Sequence, residues 1–256
     1  MIISRFPSGT ASSGVPQFTY TGRYALVNDA GGWRIKFFSS GTLRMLNSSA
    51  VDVFLVGGGG YGSTYNKRES SESDQGKPLI WYRYGAGGGA GYTLTQKNLT
   101  LVSGNEYTVV VGASGEASSI TPVDSTEWDG SSYTANGGAS PSNGATSKGG
   151  DGGSGGAGSG DYMTYTNGAY YAGSKTNSGG TNGANGKKDV GNGGTGQGTT
   201  TREFGEESGD LYAAGGASCY FSQDAVMPPE NTGNGGIGGM GYPGASGIVI
   251  IRNTRA

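Results

Sequence analysis

Glycine recurs at every third residue in several tracts of this chain. Gly235, Gly238, Gly241, Gly244 and Gly247 are spaced by three, with Gly236 and Gly239 in a second register. Gly149/Gly150, Gly152/Gly153 and Gly155/Gly156 repeat the pattern, as do Gly180, Gly183, Gly186 and Gly85, Gly88, Gly91. A period of three fits neither the strand, with period two, nor the α-helix, with period 3.6. It is the period of the polyproline-II helix, which has three residues per turn and no internal hydrogen bonds. A bare Cα on every third residue gives such a helix a face on which another backbone can lie close. Collagen needs an unbroken repeat rich in proline, and this chain has 55 glycines, only 8 prolines and many Gly-Gly pairs. The spacing predicts short polyglycine-II helices packed side by side, bonded to their neighbours because buried backbone groups must find partners. A flexible Gly/Ser linker is the alternative. The recurrence of the tracts between strand-like segments favours packing.

Those segments are ordinary β sequence. Phe18–Tyr20, Tyr24–Asn28, Trp33–Phe38, Thr42–Leu46 and Ala50–Val56 are short runs of aromatic and β-branched residues separated by turn residues. Segments 92–96, 99–102 and 106–111 continue the series, with Ser103-Gly104-Asn105 as a hairpin turn, and 248–256 adds a last apolar strand. No stretch has helical periodicity. The expected fold is all-β with essentially no α-helix. An antiparallel platform or sandwich built from both termini (1–56 and 248–256) flanks a polyglycine-II region (57–247) that contains the inserted strands and long aromatic loops.

Four segments interrupt the glycine: 61–84, 116–134, 161–172 and 217–232. Only Gly62, Gly76, Gly130 and Gly168 fall inside them. They carry Tyr61, Tyr65, Trp81, Tyr82, Tyr84, Trp128, Tyr133, Tyr162, Tyr165, Tyr170, Tyr171, Tyr220 and Phe221, set among Ser, Asp, Asn, Thr and Glu. Rings among small polar residues form the composition of a binding loop, in which large amphipathic groups give contact area and small ones adapt their hydrogen bonds. These rings are the candidate receptor-binding residues. Folding back as small satellite cores is the competing reading for any one of them.

Several classes are disfavoured. Net charge is −2, so there is no basic footprint for nucleic acid. Val53–Val56 and Ile248–Ile251 are strand-sized, and no apolar run reaches the roughly 20 residues of a membrane helix. The start, MIISRFPSGT, lacks the apolar region of a secretory signal. With no histidine, a Ser-His or Cys-His catalytic pair is impossible, and the elbow-like Gly152–Gly156 stands in a glycine tract without a base. The GxGxxG matches at 153–158, 191–196 and 236–241 lack a strand–turn–helix setting. The nearest β-roll calcium pattern, Gly155–Asp161, has its acid one place late. No metal, cofactor or catalytic residue is expected. Glu203, Glu206 and Glu207, beside Arg202, read as solvated loop charge.

The stretches FTYTGRYALVNDAGGWRIKFFSSGTLRMLNSSAVDVFLVGGGG, GAGGGAGYTLTQ, GGTGQGTTTREFGE and SGIVIIR resemble the glycine-rich proteins of bacteriophages and prophages of gut Firmicutes. In design, though not in alignable motif, the chain also resembles the adhesins at the tips of some phage long tail fibres, where bundled polyglycine-II helices present receptor-recognising loops. The resemblance implies a non-enzymatic tail-tip adhesin in the virion, made in the host cytoplasm without a signal peptide. It would bind a bacterial surface glycan or protein, and other tail-fibre proteins would be further partners. A structural or self-assembling fibre protein and a surface-glycan hydrolase are the alternatives.

Overall fold

The computed structural model describes residues 14–29, 32–64, 66–74, 77–83, 85–141, 148–158, 161–165, 168–172, 201–218 and 227–254; of 29, 66–83, 129–130 and 161–172 it describes the backbone alone. The chain is all-β, and the described residues include no α-helix, only short 3-10 turns at Glu127–Gly130 and Glu203–Gly205. The strands are β1 (Phe18–Tyr20), β2 (Tyr24–Asp29), β3 (Gly32–Phe37), β4 (Gly41–Met45), β5 (Ser49–Val56), β6 (Asn66–Asp74) and β7 (Lys77–Arg83), followed by β8 (Thr93–Leu101), β9 (Glu106–Val110), β10 (Ser118–Pro122), β11 (Tyr133–Ala135), β12 (Asp161–Tyr165), β13 (Gly168–Ala172) and β14 (Ile248–Asn253).

Two antiparallel five-stranded sheets, β1-β4-β9-β10-β11 and β2-β3-β14-β5-β8, share one core. Alternation decides what each strand contributes. Leu43, Met45, Tyr107, Val109 and Ile120 come from the first sheet, and Ile35, Phe37, Val53, Leu55, Val249 and Ile251 from the second. The carboxyl-terminal strand does more than complete the platform. β14 lies between β3 and β5, with Val249 opposite both Phe37 and Leu55. Ile248–Arg252 of β14 and Val51–Val56 of β5 are buried on both faces, which explains why IVII and VFLV read as continuous apolar runs instead of alternating.

Two local expectations need correction. Segments 92–96 and 99–102 form the single strand β8, bent at Asn98. Asn98 adopts φ 59, its N–H donates to Asp52 Oδ1 at 3.1 Å, and the pairing with β5 slips between Val51 and Val53. Asparagine tolerates the left-handed region better than most residues, so it marks a bulge and not a strand end. Residues 103–105 do turn, with Gly104 at φ 86, but they carry the chain from β8 in one sheet to β9 in the other. A tight turn says nothing about whether its flanking strands pair.

Between the strands the described glycine tracts pack as polyglycine-II helices, and the tract at Gly180, Gly183 and Gly186 lies outside the described residues. Gly57, Gly60 and Ser63 donate to the carbonyls of Tyr92 (3.0 Å), Gly89 (2.8 Å) and Ala86 (2.9 Å), an antiparallel ladder with one bond every third residue. Gly59 and Gly62 donate to Ala245 and Tyr242 on a second neighbour, and Gly58 donates to Glu116 on a third. Parallel neighbours obey the same repeat, Gly236 donating to Gly60 and Gly239 to Ser63. Successive residues therefore address different neighbours, as a threefold helix requires. A Cβ on Gly58 would overlap the carbonyl oxygen of Ala113, and one on Gly91 that of Gly57. The bare face is a steric necessity.

Candidate functional site

The segments expected as aromatic loops at 61–84 and 161–172 instead pair into a third antiparallel sheet, ordered β13-β12-β7-β6. Tyr162 is the Cα partner of both Tyr82 and Tyr171, and Met163 of both Trp81 and Tyr170. Neighbouring strands run about 4.7–4.9 Å apart and successive residues alternate faces. One face thus carries the row Tyr82, Tyr162, Tyr171, and the other carries Trp81, Met163, Tyr170. Tyr165 pairs with Gly168 at the β12–β13 turn end. The sequence hides this pairing because KPLIWYR and DYMTY meet across some eighty residues, and neither has regular polar alternation.

In sequence, β6 and β7 lie between the two halves of the ladder, 57–63 and 86–92. Ala86 N–H donates to Ser63 Oγ at 2.7 Å, and Thr64 bridges Gly239 and Met240. Strand β6 forms one edge, and its sequence NKRESSESD is dense in charge with a register shift between Glu69 and Ser73. Charged, irregular edges resist pairing with another sheet.

The other candidates are dispersed. Tyr61 is 48% exposed, and its N–H donates to Ser140 Oγ at 2.9 Å. Trp128 and Tyr133 close one end of the sandwich: the Trp128 ring lies 5.3 Å from that of Tyr107 and 5.4 Å from that of Tyr133, and its Nε1 donates to Thr100 O at 3.2 Å. For these two the satellite-core reading describes the structure, because segment 116–134 contributes β10, the 3-10 turn and the start of β11 to the sandwich. Tyr65, Tyr84, Tyr220 and Phe221 lie outside the described residues, as does the middle of segment 217–232, residues 219–226.

Sequence reasoning missed a charged network on the outer face of the second sheet. Arg34 and Arg252 are Cα partners there, and like charges directly opposite are destabilising on their own. Residues 201–212 lie over them as a strap and supply the acids. Glu203, 1% exposed, takes Arg34 at 2.5 Å and Lys36 at 3.0 Å. Arg252 pairs with Asp52 at 3.2 Å and Glu206 at 2.6 Å, and its guanidinium carbon sits 4.0 Å from the centroid of the Phe204 ring. Glu203 is therefore not solvated loop charge. Its partners are 167 and 169 positions away along the chain (203 − 36 and 203 − 34), beyond the reach of local charge patterning. Burial alone would lower the pKa of Lys36, but Tyr212, Glu203 and Asp210 outweigh it and hold the ammonium above its ordinary range. Burial pushes the Tyr212 phenol up to about 12. The ion pairs of Arg34, Lys36 and Arg252 with Glu203, Asp210 and Glu206 latch the strap to the sheet. Among the described residues, no group of three or more His, Cys, Asp or Glu is placed to hold a metal ion.

Comparison with known proteins gives one match: a family model described as a glycine-rich domain covers residues 39–254. Neither the curated proteins nor the solved structures contain a match.

Proposed function

We propose, from the premise that the chain belongs to this glycine-rich domain family, that it is a receptor-binding protein of a phage tail tip. It recognises a bacterial surface glycan or protein without turning it over. The supporting observation is the continuity in sequence between the polyglycine-II ladder 57–63/86–92 and the β6–β7 hairpin. A stiff, hydrogen-bonded ladder leads in sequence to a sheet that carries Trp81, Tyr82, Tyr162, Tyr170 and Tyr171 in two cross-strand rows. Binding residues placed on a rigid scaffold lose little freedom when a partner arrives. Tyr61 extends the candidate surface, whereas Trp128 and Tyr133 drop out of it. The charged, bulged β6 argues against pairing of another sheet along that one edge.

The test is binding of labelled protein to a panel of Gram-positive gut isolates, comparing the native chain with Tyr82→Ala and Tyr171→Ala, which share one face. Cell binding should fall by at least about tenfold, corresponding to roughly 1.4 kcal/mol, at an unchanged melting temperature. Unchanged binding to a strain that the native chain recognises would refute the assignment of this surface. A collapse in melting temperature would make the rings core residues.

A further inference from the structure

A second recognition site, separate from the aromatic sheet, lies where the sandwich, the strap and the bundle meet. An open cleft of about 530 Å³ is walled by Lys36 of β3 and Phe38 just after it, by Asp210–Tyr212 of the strap, and by Glu230–Thr232. That volume falls within the range of small-molecule sites and has room for a monosaccharide and part of its neighbour. We propose that this cleft binds a neutral sugar residue.

The chemistry of the walls favours a neutral polyhydroxylated ligand over an ion. Both nearby cations already have anionic partners: Lys36 holds Glu203 and Asp210, each at 3.0 Å, and Arg23 holds Glu230 at 3.4 Å. An anion would have to compete with those carboxylates. Asp210 and Glu230 have side chains 69% and 80% exposed, and an ionised carboxylate accepts about four hydrogen bonds, so each retains capacity for a sugar hydroxyl. The apolar component a sugar ring needs comes from Leu211, 48% exposed, and from Phe38.

The cleft is also built rigidly. Asn231 Nδ2 donates to Phe38 O (3.1 Å) and Gly247 O (2.9 Å), and its N–H donates to Ser246 Oγ at 2.9 Å. Asn231 sits at φ 60 and Ala213, beside Tyr212, at φ 58, with Ala213 N–H bonded to Thr232 O. Left-handed conformations in non-glycine residues persist only where the surroundings enforce them, and they gather at ligand clamps. The strap and the 230–232 wall are locked together at the point where they border the cleft.

Saturation-transfer NMR on the full chain tests this, with the methyl glycosides of glucose, galactose and N-acetylglucosamine as probes and N-acetylneuraminic acid as the anionic comparator. Sites for one sugar commonly bind in the millimolar range, so each probe is used at about 10 mM. Transfer should be seen with at least one neutral glycoside and not with the anionic sugar. Leu211→Arg should abolish it. Glu230→Gln, which removes only an exposed pair of little energetic weight, should weaken binding about threefold to tenfold. Near-UV circular dichroism checks that both variants keep the native fold. No transfer from any neutral probe overturns the proposal, as does equal transfer from the anionic sugar or transfer that survives Leu211→Arg. Transfer lost in Trp81→Ala but kept in Leu211→Arg would assign sugar binding to the aromatic sheet and end the case for the cleft.

Discussion

The sandwich and the glycine bundle exclude water in opposite ways. Between the two five-stranded sheets, Leu43, Val53, Ile120, Val249 and Ile251 fill space with side chains, and the gain is apolar area removed from water, roughly 25 cal/mol per Å². In the bundle, Gly57–Gly60 and Gly85–Gly91 are equally buried, yet there is almost no side chain to bury. Backbone lies on backbone, and each residue contributes a hydrogen bond of about 1 kcal/mol net against the large entropy that glycine loses on ordering. A side-chain core degrades gradually, because neighbours relax around a lost methyl group. A backbone core has nothing that can relax. Its stability depends on every helix being present and every bare face staying bare.

That contrast is broken most directly at Gly58. Gly58→Ala places a methyl group against the Ala113 carbonyl, with backbone on both sides of the clash. It should destabilise the chain by more than about 4 kcal/mol, beyond the ordinary range for one substitution. Urea denaturation followed by far-UV circular dichroism is the measurement. A loss under about 1 kcal/mol would mean the tracts yield like coil and the bundle is not a packed core.

A second effect belongs to the sandwich and its strap. Burial is the leading cause that raises the phenols of Tyr20, Tyr107 and Tyr212 above the ordinary value of 10.0. Below that pH the tyrosines are neutral in both states and the stability is fully present. Between pH 10 and about 12 the unfolded chain gives up protons that native Tyr212 keeps, so stability falls as pH rises. By linkage the share of Tyr212 is about 2–3 kcal/mol, and Tyr212→Phe should remove that part of the alkaline slope. An unaltered slope in the variant would show that Tyr212 is not held neutral by its burial.

The smallest effect isolates conformation from sterics. Gly104 adopts φ 86, but a Cβ there meets nothing within 4 Å. Gly104→Ala should cost only the 1–2 kcal/mol or so of a left-handed residue, measured in the same denaturation series. If Gly58→Ala and Gly104→Ala proved equal, the bundle's close contacts would carry no special weight.

Much of this architecture was legible before any coordinates. The aromatic and β-branched runs at Trp33–Phe38 and Glu106–Val111, bounded by turn residues, gave their strands, because such side chains fit a pleated, half-buried surface. The three-residue glycine spacing gave the bundle, because the polyproline-II helix has three residues per turn and a bare Cα at each turn lets backbones lie close. The candidate site was less legible. The aromatic clusters were found, but β6, β7, β12 and β13 pair over distances that local patterns do not encode, and Trp128 was indistinguishable from Trp81 by composition alone. Glu203 looked solvated because Arg34 and Lys36, its counter-charges, sit on a strand near the other end of the chain.

By itself, then, the sequence determined the local geometries: where the backbone is pleated, where it winds threefold, and which residues lack the Cβ that would forbid close packing. Tertiary structure alone decided the partners: that β14 runs between β3 and β5, that the strap's acids neutralise two opposed arginines, and that the tyrosine-rich segments form a sheet. The reason is range. Steric and conformational preferences act over a few residues and are written in neighbouring letters. Pairing and burial are set by whichever distant surfaces the folded chain brings within a few ångströms.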